Sequence, residues 1–180
     1  MKRRWLVALE KKENSYPFKI LTWEFMNIYE LRLKDDFVIK LSDDGKRWLA
    51  RAIVNLLIMD GKLDPTEMSY MKDAVLLVND SEREELLEYA KKSRKFDLPK
   101  LTTDRGNAPE ILYYFAGLIG ADNRISVKEA EFFRTICSKL GYTEHIAKEA
   151  LQWTFALINL HKKRTDLEKS AAKSLDPTIT

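Results

Sequence analysis

From Asp43 onward, apolar residues return at the three-to-four-residue spacing of amphipathic helices, and turn and cap residues punctuate them at regular places. Residues from about 44 to 59 read as a first helix, with Trp48, Leu49, Ala52, Ile53, Leu56 and Leu57 on one apolar face, and Asp60 and Gly61 end it. Asp64, Pro65 and Glu67 then supply an N-cap, a proline suited to the first turn and a glutamate at the third helical position, so a second helix is predicted from there to about Val78. Asp80 or Ser81 can cap a third, "EREELLEYAKKSRK", whose cations gather at its C-terminal end, where the helix dipole favours them. The polar stretch "FDLPKLTTDRGNA" reads as a connector between two halves.

The same order of signals then returns. Pro109 opens the apolar run "EILYYFAGLIG", Asp122 and Asn123 follow it, and Ser126 with Glu129 as its reciprocal partner starts a helix that stops before Gly141. Thr143 caps a last helix through Trp153 to about Lys163. Sliding the chain on itself by 62 aligns Asp60 with Asp122, Leu63 with Ile125, Glu67 with Glu129, Tyr70 with Phe132, Val78 with Leu140 and Ser81 with Thr143. Caps and core positions coincide together, which predicts an all-α fold: a tandem pair of three-helix units over residues 43–165, with a polar tail over 166–180.

Residues 1–42 form a separate N-terminal appendage in this reading. "YELRLKDDFVIKLS" alternates, with Tyr29, Leu31 and Leu33 before Lys-Asp-Asp and Phe37, Ile39 and Leu41 after it, as in a β-hairpin. "TWEFMNIYELRL" can also be laid on a helix, with Phe25, Ile28, Tyr29 and Arg32 along one side. The expectation is a small extended attachment beside a helical body.

The repeated motif, an acid, then Gly or Asn, any residue, an aliphatic, any three residues and a glutamate between two amphipathic helices, resembles the TerB-like family, which includes tellurite-resistance TerB and the N-terminal domain of the DjlA co-chaperones. The family hallmark is Ala-Asp-Gly-x-Ile-x-x-x-Glu. The second copy matches at Ala121, Asp122, Ile125 and Glu129, with Asn123 in place of glycine; the first matches at Asp60, Gly61 and Glu67, with Met59 for alanine and Leu63 for isoleucine. The resemblance covers residues from about 44 to 164. It implies an all-helical, non-catalytic interaction module in bacterial metal or tellurite stress, phage defence or membrane-associated assemblies. It also implies a divalent-cation role for Asp60, Glu67, Asp122 and Glu129.

Composition narrows the classes. A chain of 180 residues is long enough for one domain of ordinary size, or one made of two similar halves, and can bury a core. The single Cys137 cannot form an internal bridge, which fits a reducing compartment and excludes a Cys-based zinc site within the chain. The excess of 31 basic over 28 acidic residues is too small to announce a nucleic-acid binder. In "MKRRWLVALEKK" the apolar stretch is too short for an export signal, so a cytoplasmic location is expected. The longest apolar run, "ALQWTFALINL", is about half the ~20 residues a bilayer span needs, so no transmembrane segment is predicted.

The candidate chemistry is sparse. An EF-hand loop needs acids at alternate positions and a glutamate at position twelve, which neither copy has. Helix capping accounts for the motif residues without any absent ligand, with Gly61 and Asn123 accepting the left-handed backbone of a helix end; a weak divalent-ion site is the alternative. Basic clusters at Lys2, Arg3 and Arg4, at Lys91, Lys92, Arg94 and Lys95, and at His161, Lys162, Lys163 and Arg164 read first as solvated helix ends. If they converge, with Trp5 and Phe96 stacking on bases or lying at a lipid interface, they would make a nucleic-acid or anionic-membrane adaptor. His145 and His161 lack metal-ligand spacing, Cys137 occupies a core position aligned with Val75, and no nucleophile elbow or phosphate-binding glycine loop is present, so no enzyme is predicted. The last helix is apolar around most of its circumference and is expected to be covered on more than one side, with any strip left open serving a protein partner.

Overall fold

A computed structural model describes residues 33–59, 65–121 and 123–174, with the backbone alone described over 65–69. Among these residues the chain is all-α: α1 (Asp35–Lys40), α2 (Asp43–Leu57), α3 (Pro65–Leu76), α4 (Asp80–Lys91), α5 (Ala108–Leu118), α6 (Val127–Lys139) and α7 (Glu144–Lys173), with a 3-10 turn at Arg105–Asn107 before α5.

The first helix falls where a strand was expected. Phe37, Ile39 and Leu41 alternate as a strand would, but Asp35–Lys40 is helical, and the one-turn spacing of Phe37 and Leu41 puts both into the core while Ile39 stays 79% exposed. Three apolar residues at alternate positions fit either period, and burial of the outer two decides between them. The other half of the expected hairpin, Tyr29 to Leu33, lies outside the described residues except for Leu33, as does the helical alternative over 22–33.

Ser42 caps α2, its hydroxyl accepting from the Gly45 N–H at 3.0 Å. From Trp48 to Leu57 every residue of α2 except Arg51 is buried, a wider set than the predicted stripe. The helix lies at the centre: α3, α4 and α6 all pack on it, while α5 packs on α6 and α7, and α6 on α7. Leu49 and Ile53 of α2 form one fully buried core with Ile111, Phe115, Ile119, Phe133, Ile136 and Leu140.

Helix ends follow the local code closely. Asn79, one residue before the expected caps, closes a capping box with Glu82 on α4: it stands in extended backbone just before the first helical residue, and its side-chain oxygen accepts the Glu82 N–H at 3.0 Å. Ser126 and Glu129 form the predicted box on α6, and Asn123 takes the left-handed backbone expected of it, at φ 65°. Gly141, at φ 85°, closes α6: its N–H reaches Ser138 O and the Tyr142 N–H reaches Cys137 O, satisfying two of the helix's last carbonyls. Thr143 stands at the start of α7 without a side-chain cap bond.

Candidate interaction surface

The stretch from Phe96 to Asp104, read from sequence as a polar connector, is an extended strap packed onto the body. Phe96, Leu98 and Leu101 are buried along it. Among the described residues no strand lies beside it, and helix side chains and helix ends take up several of its backbone polar groups. The buried Asn55 amide donates to Phe96 O at 2.9 Å and accepts the Phe96 N–H at 2.7 Å. The Trp48 indole donates to Pro99 O at 2.9 Å, and the Leu101 N–H to Lys139 O at the end of α6, also at 2.9 Å. Arg105 reaches Leu140 O at 2.9 Å. The Asp104 carboxylate accepts from the Ser42 N–H at 2.8 Å and from the Ser42 hydroxyl. Burial works to raise the Asp104 carboxyl, and these Ser42 bonds together with Asn107 overcome it and hold the group below the usual carboxylate range. The strap therefore ties α2 to the end of α6 by side-chain and backbone bonds at several points.

Beside the strap, four side chains form a column. Arg94 lies 4.8 Å from the centre of the Tyr89 ring, Tyr89 stacks on Phe96 at 3.9 Å and 8°, and Arg51 lies 5.3 Å over Phe96. Left-handed Ser93, at φ 49°, ends α4 and brings Arg94 back over Tyr89, with the Arg94 N–H on Tyr89 O at 2.9 Å. Phe96 is thus enclosed in the column and offers no face to a base or a lipid. Arg51 is 3.1 Å from Glu85, and Arg47 binds both Glu82 and Asp44. Burial pushes the Glu82 carboxyl up, but its bonds from Arg47 and the Asn79 backbone hold it below its ordinary value. These arginines belong to the α2–α4 packing.

Of the four residues implicated in cation binding, Asp60 and Asp122 and the side chain of Glu67 lie outside the described residues. Glu129 is described, and it acts as a cap: its Oε2 accepts the Ser126 N–H at 2.6 Å. Among the described residues no three His, Cys, Asp or Glu side chains are grouped to hold an ion. Lys2, Arg3, Arg4 and Trp5 also lie outside the described residues. His161 to Arg164 do not end a helix as expected but sit within α7, which runs on to Lys173, well into the predicted tail, through helix-favouring residues and an Arg164–Glu168 pair at 2.7 Å. The dipole therefore does not account for that cluster.

Cys137 is buried, and burial, assisted by the nearby Glu144 charge, pushes its thiol up to about 12. It is a packing residue. His145 pairs along its own helix with Glu149 at 3.5 Å.

The surface feature that stands out is apolar. α7 turns Ala147, Ala150, Leu151, Thr154 and Ile158 inward. Its opposite flank leaves Trp153 39%, Leu160 52% and Leu167 70% exposed, and the half-exposed Tyr113 of α5 meets Trp153 edge-on at 5.4 Å. Among the described residues the helix is covered on one side; most of the N-terminal attachment expected to add further cover lies outside the described residues. The inner stripe is picked out by its contacts with the end of α5: the Thr154 hydroxyl donates to Ala116 O at 3.0 Å, and Gly120, just past α5, lies so close to Thr154 that a side chain there would clash. No described helix is long and apolar enough to cross a membrane. Comparison of the chain with protein-family models, with curated proteins and with solved structures finds no match.

Proposed function

We propose that the chain is a non-enzymatic, TerB-like module of two three-helix units that docks a protein partner in a bacterial stress-response or defence assembly. The docking surface is the aromatic flank of α5 and α7 around Tyr113 and Trp153, and this exposed pair is the observation that carries the reading. Clustered exposed aromatics are what partner interfaces use as anchors. The two-unit organisation is supported by the places where helices begin: α3 opens at Pro65 and α6 at Val127, 62 positions apart, the same offset that aligns the sequence with itself.

Two variants test docking. Trp153→Ala combined with Tyr113→Ala, in the full chain, is expected to weaken capture of a partner from the native host by tenfold or more while leaving helical content unchanged. Equal capture by wild type and variant removes this surface from the function.

The divalent-cation role is separable. Glutamine serves at the third position of a capping box as well as glutamate does, so Glu129→Gln preserves the cap and removes a ligand charge. Calorimetric titration with Ca²⁺, Mg²⁺ and Zn²⁺ that gives no heat and no thermal shift in wild type ends the ion proposal. The nucleic-acid or anionic-membrane adaptor is the second reading, resting on exposed Lys91, Lys92, Lys95, Lys162 and Lys163. Retention on DNA, RNA or anionic vesicles that falls steeply with salt supports it, because phosphate contacts release counterions.

A further inference from the structure

Past Ile158, α7 continues for fifteen residues to Lys173, roughly 22 Å at the usual rise, and none of these residues is buried. Isolated helices of that length are marginal in water and generally depend on packing. The apolar residues on this flank are not scattered. Trp153, Leu157, Leu160, Leu167 and Ala171 fall at intervals of four, three, seven and four, and Arg164 occupies the remaining position of the series. This is the alternating four-three spacing of a coiled-coil seam, with Leu157, Arg164 and Ala171 at a and Trp153, Leu160 and Leu167 at d. A strict seven-residue repeat winds out of line with a lone straight helix and stays in line only against a second helix that carries the same repeat.

We propose that this seam is the interface of a parallel homodimer, in which α7 of one chain lies along α7 of a second copy. The inference rests on the reading of the α7 flank as a docking surface and names its occupant. A seam that meets its own copy about a two-fold axis needs flanks that complement themselves, and these do. Lys163 at g and Glu168 at e flank it, so each Lys163 faces the partner's Glu168 five residues on, twice by symmetry, with opposite signs meeting. Arg164 is the single charged residue in the seam. A lone polar a position of this kind fixes register and favours two strands, and its aliphatic stem can cover the adjoining leucines while its head pairs with Glu168 at 2.7 Å.

Sedimentation of the full chain tests the assembly. Wild type is expected to run at twice the monomer mass in the micromolar range, and Leu160→Glu combined with Leu167→Glu is expected to run as a monomer with unchanged helical circular dichroism, a shift of the dimer equilibrium of at least 100-fold. Both substitutions are at exposed positions, so the fold survives them. Leu160→Cys, with Cys137→Ser, tests direction and register: a parallel seam sets the two new thiols against each other, and mild oxidation gives a covalent dimer almost completely. A wild-type chain that stays monomeric at about 200 µM, a dimer that the double glutamate variant does not dissolve, or a Leu160→Cys chain that fails to cross-link overturns the proposal. Failure of the docking reading is separate: it shows as host-partner capture that Trp153→Ala with Tyr113→Ala does not change, whatever the mass of the purified chain.

Discussion

Asn55 is a buried amide in the central helix α2, and Asn55→Leu tests how the strap is held. The asparagine side chain donates to Phe96 O at 2.9 Å and accepts the Phe96 N–H at 2.7 Å, and all of these groups are away from water. Leucine branches at the same atom as asparagine but is larger, so no cavity opens; the lost hydrogen bonds are the main loss, and the extra bulk can only add to it. It strands one buried donor and one buried acceptor at about 1–3 kcal/mol each, for a total of roughly 2–6 kcal/mol. The Tyr89–Phe96–Arg51 column depends on the same backbone anchor and can only add to the loss. Urea unfolding followed by tryptophan fluorescence measures it: with a slope of about 1–3 kcal/mol/M, the midpoint should fall by roughly 1 M or more without a change of slope. Hydrogen exchange of the Phe96 amide should quicken in the same variant, whereas Lys100→Ala on the exposed edge of the strap should change neither quantity. A loss under about 1 kcal/mol together with an unchanged Phe96 amide would refute the account, because buried peptide groups left without partners cannot cost so little.

Three further outcomes follow from the geometry. The Asp104 carboxyl is held low in the folded chain, so its contribution is complete above the unfolded value near 3.9 and is lost as pH falls through the lower folded value; urea midpoints between pH 7 and pH 2 should drop less steeply at the acid end in Asp104→Asn than in wild type. Gly120→Ala would place a methyl 2.7 Å from Thr154 Cγ2, which should destabilise the α5–α7 contact by about 1–3 kcal/mol on thermal or urea unfolding. Cys137, with its thiol pushed up to about 12 by burial, should react with a disulfide reagent at pH 8 only as fast as the chain unfolds, and rapid labelling of the folded protein would contradict its placement in the core.

Much of the helical frame is legible from local chemistry. The start and stop of α6 were written in Ser126, Glu129 and Gly141, because caps and left-handed ends depend on neighbouring residues alone. The buried face of α2 was legible in its apolar spacing, since a central helix carries too many aliphatics to leave them in water. The misreadings have a common cause. Phe37 and Leu41 suit a strand or a helix equally until a core exists to receive them, and "FDLPKLTTDRGNA" counts as polar by composition although four of its residues, Phe96, Leu98, Leu101 and Ala108, are buried. Asn55 within an apolar stripe was the one available sign of the strap, because a buried amide requires a backbone partner.

What the sequence determined by itself was the six helices that follow Ser42 and most of their ends, along with the burial of Cys137, because these depend on residues a few positions apart. Only the tertiary structure decided which flank of α7 faces the body, how Asn55, Trp48 and Asp104 fasten the strap, and that the arginines beside it are engaged in packing. Those outcomes depend on pairs such as Gly120 with Thr154 or Ser42 with Asp104, far apart along the chain, whose meeting is set by the packing of whole helices and not by any local preference.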